Sequence, residues 1–217
     1  MGVKSFLQLA LSLPIRLGAD WVPHGPHVTR YFMYRELRCK LAPHRGATEL
    51  KVLSISHSRS LVAALELDSA VVVEANYPEH NAISLGAFDD AQFDFVISDQ
   101  VLEHVEGNPQ RVFDESLRLL KPGGIAIHTT CFINPIHGFP SDFWRFTPAA
   151  LTYLARDFAD ILVVGGFGNR AIWLVSALGM RTTPVPHTPW HPLHLIATMN
   201  NETWPVVTWI ATRKGAV

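Results

Sequence analysis

The sequence predicts an α/β protein built on an open, mostly parallel, doubly wound sheet, and three observations carry that prediction. Short apolar runs rich in β-branched residues recur along the chain, segments of helical periodicity separate them, and the end of the chain is β-rich again. Leu50 to Ile55 and Ala70 to Ala75 (AVVVEA) are apolar on both faces, as strands buried in a parallel sheet are.

The elements follow in order. Thr29 is placed to cap a helix running to about Ala42, which Pro43 and Gly46 close. Ser60 to Leu67 reads as a short helix between the first two strands, giving a compact βαβ unit. Phe93 to Ser98 (FDFVIS) is the next strand. Asn108 caps and Pro109 opens a helix with Val112, Phe113, Leu117 and Leu120 on one face, and Lys121-Pro122-Gly123-Gly124 stops it. Ile125 to Phe132 is a strand, and Thr147-Pro148 opens another helix. Ile161 to Val164 and Val206 to Thr212 complete the strands. Between those two lie a helical stretch from Asn169 to Leu178 and a proline- and histidine-rich loop from Pro184 to Pro192.

A chain of 217 residues, 48% of them hydrophobic, supports one sizeable core, so residues 1–217 are expected to form a single domain. Its first part, 1–45, reads as a helical segment covering the active-site cleft. The stretch from Phe6 to Leu13 is too short to span a bilayer and lacks a small-x-small cleavage site, and Phe6 stands where a myristoylation motif needs Ser or Thr. With 18 basic against 19 acidic residues the net charge is −1, which gives no electrostatic footprint for nucleic acid or an anionic membrane. A small-molecule partner, no stable membrane anchor and, as a candidate assembly, a homodimer are expected. Cys39 and Cys131 form no metal-ligand pair or disulfide framework, so a reducing, cytoplasmic location with both thiols buried fits them.

Residues 93–130, FDFVISDQVLEHVEGNPQRVFDESLRLLKPGGIAIHTT, closely resemble the middle of class I S-adenosylmethionine-dependent methyltransferases of the small-molecule type. The resemblance implies a seven-stranded, Rossmann-like methyltransferase fold, an enzyme, and S-adenosyl-L-methionine as cofactor. Ligands of open α/β sheets lie beyond the carboxyl ends of the strands, so Ser98, Asp99 and Gln100 would line the methionine half. The resemblance also gives Glu74, followed by Ala75, as the acid that binds the ribose hydroxyls. It places Gly86-Ala87-Phe88 as the adenine-contacting segment. The chain departs from the family in its first loop, Ser54-Ile55-Ser56-His57-Ser58-Arg59-Ser60, which contains no glycine although the family's loop is glycine-rich. Ser54, Ser56 and His57 are read as holding the methionine moiety, with Arg59 or Arg30 pairing its carboxylate. The alternative is a site that has lost the cofactor.

An alcohol acceptor needs a base or a metal to lose its proton. Two clusters supply candidates. Gln100, Glu103 and His104 share a face if their turn is helical. Some family members hold a divalent ion there with an acid where this chain has Gln100, so an ion such as magnesium is a candidate and its ligands are open; otherwise Glu103 and His104 cap the next helix. The second cluster, in the loop from His137 to Thr147, offers His137 as general base and Asp142 to orient it or bind an ion. Trp21, Tyr31, Phe139 and Trp144 could stack on sugar faces, whereas Trp144-Arg145-Phe146 equally suits packing. His187, His191 and His194 read as structural. The leading expectation is an O-methyltransferase for a small hydroxylated acceptor, a saccharide or glycan precursor. The alternatives are an N- or C-methyltransferase, or a cofactor-free binding or dimerisation module.

Overall fold

The computed structural model describes residue 13 and residues 22–45, 49–67, 69–138 and 140–216. In chain order the elements are β1 (His24–His27), α1 (Val28–Leu41), β2 (Lys51–Ile55), α2 (Arg59–Ala64), β3 (Val71–Ala75), β4 (Phe93–Asp99), α3 (Gln110–Leu119), β5 (Leu120–Cys131), α4 (Pro148–Leu154), β6 (Asp160–Phe167), α5 (Arg170–Ala177), β7 (Pro184–Pro186), α6 (Pro192–Thr198) and β8 (Val207–Arg213). The chain divides into two compact units, one of Met1–Met33 with Gly166–Val207 and one of Tyr34–Gly165 with Thr208–Val217.

The main sheet has the order β3-β2-β4-β5-β8-β6. Strand β2 runs parallel to both β3 and β4, and β4 parallel to β5, so the chain steps outward from β2 to β3 and then returns to its other side. That reversal opens a crevice at the carboxyl ends of β2 and β4. The register sets Ser54 beside both Glu74 and Ile97, and Ser98 beside His128. The described sheet holds six strands rather than seven. The stretch 76–92 forms turns, because Pro78, Gly86 and Asp89-Asp90 interrupt any alternating apolar run.

The core of the larger unit joins Leu53, Ile55, Phe93, Val96, Val112, Phe113, Ala126 and Ile210. Helix α3 begins as its sequence suggests, with Asn108 Oδ1 accepting from the amide of Gln110 at 3.0 Å. Its end differs from expectation: β5 starts at Leu120, so Lys121 to Gly124 lie within the strand. Gly124 suits that place, since a Cβ there would lie 2.9 Å from the Lys121 carbonyl oxygen. Thr147 and Asn169 cap α4 and α5 through their side chains. Helix α1 starts at Val28, so Thr29 lies inside it, its hydroxyl 3.0 Å from His27 Nδ1.

In the smaller unit β1 and β7 form an antiparallel pair, His24 opposite Pro186 and His27 opposite Pro184. The loop expected from Pro184 to Pro192 therefore contains a strand, and α6 follows it. His191 caps α6 by accepting from the amide of Leu193, and Pro192 opens the helix. Tyr31 is buried, its ring packed against His187 and His194. Among the described residues no helix is long and apolar enough to cross a membrane. Cys131 is buried, but Cys39 is exposed, contrary to expectation, beside Arg38 and Lys40 in the solvated last turn of α1.

Candidate active site

A cleft of about 200 Å³ lies at the carboxyl ends of β2, β3 and β4, lined by Ser56, His57, Tyr77, Asn81, Ala82, Gln100, Val101, His104, Val105, Glu106 and Pro140. The glycine-free loop forms one wall. Ser56 and His57 adopt left-handed backbone angles, φ 50° and 63°, that cost a non-glycine residue about 1–2 kcal/mol each. Three groups of bonds hold them there. The Ser56 amide donates to Ala75 O at 3.0 Å and the His57 amide to Asn76 Oδ1 at 2.8 Å. Ser58 supplies the third: its hydroxyl donates to Ile55 O and accepts from the Asp99 amide, stapling the end of β2 to the end of β4. Sequence reading passed over Ser58, whose signal is only its place three residues after Ile55.

Glu74 sits near the end of β3 with both carboxylate oxygens buried and accepting no hydrogen bond, although Arg59 forms an ion pair with it. Ser54 Oγ, in the adjacent register position, is also buried without a partner. Buried polar atoms are seldom left so. Paired with Arg59 through Oε1, Glu74 keeps its second oxygen able to accept from hydroxyl donors such as those of the ribose of S-adenosylmethionine. Arg59 thus pairs Glu74 instead of standing free for a carboxylate. Gly86 and Ala87 are exposed and Phe88 packs on Phe93 and His80, so this segment lies outside the cleft lining, where Tyr77, Asn81 and Ala82 stand instead.

At the end of β4, Asp99 is fixed on both oxygens. Tyr34 donates to Oδ2 at 2.5 Å and Thr129 to Oδ1 at 2.6 Å. Gln100, with φ 60°, turns its amide nitrogen to Thr129 Oγ1 at 3.2 Å, so it does not join Glu103 and His104 on a common face. Beneath them Ser98 is buried against His128. The Ser116 hydroxyl donates to Val112 O, so His128 Nε2–H donates to Ser116 and Nδ1 accepts from Ser98. Burial pulls the pKa of His128 down to about 3 and keeps it neutral.

Glu103 and His104 occupy a single 3-10 turn, Leu102–His104. Glu103 is fully buried, accepting from Thr130 Oγ1 at 2.9 Å and the Cys131 amide at 3.4 Å, and burial raises its pKa. It does not cap the next helix; that role is Asn108's. The same burial, with Glu103 nearby, pushes the Cys131 thiol up to about 12. The loop after β5 comes back to this turn, its Phe143 amide donating to Glu103 O at 2.7 Å. In that loop Arg145 grips both oxygens of Asp142, whose side chain is 2% exposed, and the pair holds the Asp142 carboxyl well below the usual range. Asp142 Oδ2 also takes the His137 amide at 3.1 Å and lies 3.1 Å from His137 Nδ1. The rings of His137 and His104 meet edge to face with centroids 4.8 Å apart, so the two clusters that the sequence keeps apart form one. Trp144 Nε1 donates to Val105 O at 2.8 Å, a packing role. Trp21 and Phe139 lie outside the described residues.

Residues 37–128 match the model of a family described as a methyltransferase domain. Among solved structures, the chain is similar to an S-adenosylmethionine-dependent methyltransferase from Archaeoglobus fulgidus (12% identity, TM-score 0.50, covering 85% of this chain and 96% of that one). It is also similar to the 1,6-didemethyltoxoflavin-N1-methyltransferase of Burkholderia thailandensis, crystallised with its substrate and S-adenosylhomocysteine (15%, TM-score 0.54, 96% and 87%). A third likeness is to the cyclase SpnF (16%, TM-score 0.53, 97% and 95%). No curated protein matches the chain in sequence. The matched segment, the fold and the cleft at its switch point agree with one another, and the sheet has the Rossmann-like fold of these S-adenosylmethionine-dependent methyltransferases.

Proposed function

We propose that this cleft methylates the hydroxyl of a small polar acceptor, with a saccharide or glycan precursor as the first class to test. Bound S-adenosylmethionine supplies an electrophilic methyl group. The chain's own residues do the rest. Glu74 accepts the ribose hydroxyls, Ser56 and His57 shape the wall beside the methionine moiety, and Gln100 and the bonded Asp99 line the approach from β4. His137 handles the acceptor's proton. Its Nδ1 lies 3.1 Å from Asp142 Oδ2, 3.2 Å from Pro135 O and 3.1 Å from the Asn134 side-chain nitrogen; the two oxygens can only accept, so, with the Asn134 amide turned to present its oxygen, Nδ1 carries the hydrogen and Nε2 a lone pair. Asp142 is a positioning residue, since Arg145 already occupies both of its oxygens.

The observation that carries this reading is His137, oriented by a buried ionised aspartate and stacked on a cleft-lining histidine. An N-acceptor would need less base strength. The test is turnover of labelled S-adenosylmethionine against a panel of hydroxylated and amino acceptors, with and without chelator. His137→Ala should lose about 10²- to 10⁴-fold in rate on a hydroxyl acceptor while binding cofactor and melting as the parent does. Full activity of that variant, or methylation of amines alone, would remove the O-methyl reading.

A further inference from the structure

We infer that the acceptor carries an aliphatic chain, and that Ile136, Phe143 and the exposed face of Trp144 form the strip on which that chain lies. The inference rests on the acceptor site of the proposed function and names what the reacting polar head is attached to. These three large apolar side chains are all exposed, all belong to the loop after β5, and Ile136 is 91% exposed. Apolar side chains scattered singly over a surface are ordinary, whereas a group of them beside a cleft marks a ligand or partner.

The loop does not fold these groups away, because its polar atoms tie it to the cleft wall. The Phe143 amide donates to Glu103 O at 2.7 Å, and Trp144 Nε1 donates at 2.8 Å to the carbonyl oxygen of Val105, a lining residue. The His137 amide donates to Asp142 Oδ2 at 3.1 Å, so Ile136 and Phe143 flank one closed turn of the loop. The ring of His137, the residue after Ile136, meets that of His104, which also lines the cleft. The strip therefore begins where the cleft ends. The cleft continues the same chemistry, with Tyr77, Ala82, Val101, Val105 and Pro140 in its lining.

Charge and area decide the occupant. From Phe132 to Thr147 the only formal charges are Asp142 and Arg145, and they neutralise each other. An anionic membrane surface is held by clustered cations, and a free saccharide by hydrogen-bonding side chains; Ile136, Phe143 and the Trp144 ring offer neither. A stable dimer buries about 800 Å² of each partner, more than three partly exposed side chains supply. An aliphatic chain needs only apolar area to leave water.

The experiment measures, by calorimetry in the presence of S-adenosylhomocysteine, the binding of butyl, hexyl and octyl β-D-glucopyranosides, each below its micelle threshold. A fully buried methylene strengthens binding about fourfold. On a strip open to solvent along one side roughly twofold per methylene is expected, or about 16-fold from butyl to octyl. Ile136→Ser and Phe143→Ser should each cut that gain to less than about fourfold, with the butyl affinity and the melting temperature unchanged, since both side chains are exposed. The Trp190→Ser/Met199→Ser double variant, which removes exposed apolar groups of the smaller unit, should bind as the parent does. No binding, equal binding across the series, a gain that survives both strip variants, or a gain lost in the double variant would overturn the inference. So would flotation with phosphatidylcholine vesicles, or a dimer in sedimentation, that Ile136→Ser abolishes, since a membrane or a second copy would then hold the strip. Turnover of labelled S-adenosylmethionine on hydroxylated and amino acceptors separates the two claims. Hydroxyl methylation without a chain-length gain defeats the strip alone, and a chain-length gain with methylation of amines alone defeats the O-methyl reading alone.

Discussion

Two loops bound the cleft, and they hold their shapes by opposite means. In the loop after β2, apart from the Arg59–Glu74 ion pair, backbone amides, Asn76 and the Ser58 staple keep Ser56 and His57 in left-handed conformations. The loop after β5 relies on charge, with Arg145 locking Asp142, and Asp142 then setting His137. A loop of the first kind is insensitive to salt and pH but stores backbone strain, whereas the second concentrates its stability in one buried pair. Function divides the same way. Under the proposed function the strained loop meets the cofactor and the charged loop meets the acceptor.

The sharpest break in that comparison is Asp142→Ala. Removing one partner from a buried pair costs about 3–5 kcal/mol, and the lower end applies because Arg145 keeps 28% of its side chain exposed. Chemical denaturation should show the loss, while cofactor affinity stays within about twofold. Loss of cofactor binding in a folded Asp142→Ala protein would show that the loops are not independent.

Acid should act on both loops together through His128, which clamps Ser98 and Ser116 under them. Its folded pKa of about 3 lies below the ordinary value of 6.5. The unfolded chain therefore binds the proton first, and stability is lost as pH falls from about 6.5 toward 3, by up to about 1.4 kcal/mol per pH unit. The Asp142–Arg145 pair stays ionised across most of that window, because Asp142 titrates below the usual carboxylate range. Denaturation midpoints between pH 7 and 4.5 should fall in the parent and stay nearly level in His128→Gln, which is neutral throughout. Parallel falls would assign the acid sensitivity elsewhere.

Much of this was legible in the sequence. Strands β2 and β4 lie where the apolar runs put them, and Asn108 and Thr147 act as the caps their positions announce. What escaped was non-local or unpatterned. A three-residue strand of Pro184–Pro186 has too few residues to show a period of two, and its pairing with His24–His27 joins segments over 150 residues apart. The meeting of His104 with His137 depends on the return of the β5 loop to Glu103 O, which no spacing encodes. Within the 17 residues between β3 and β4, the resemblance gives Gly86-Ala87-Phe88 as the adenine segment. Tyr77 and Asn81 line the cleft because the chain turns immediately at Pro78.

A smaller effect sharpens the other side of the comparison. Ser56→Gly relieves about 1–2 kcal/mol of left-handed strain and adds about 0.5–1 kcal/mol of unfolded-state entropy, so a net gain between about 0 and 1.5 kcal/mol is expected in denaturant titrations. A loss would mean that the serine side chain contributes more than its backbone costs.

The central claim is that the glycine-free loop still belongs to a working cofactor site, and titration calorimetry with S-adenosylmethionine tests it most directly. The parent protein should give a saturable isotherm. Glu74→Ala should weaken it by about 1.5–3 kcal/mol, the scale for hydrogen bonds to a charged group, with an unchanged melting temperature. A folded parent that gives no binding heat at millimolar cofactor, or a Glu74→Ala protein that binds as tightly as the parent, would contradict the account.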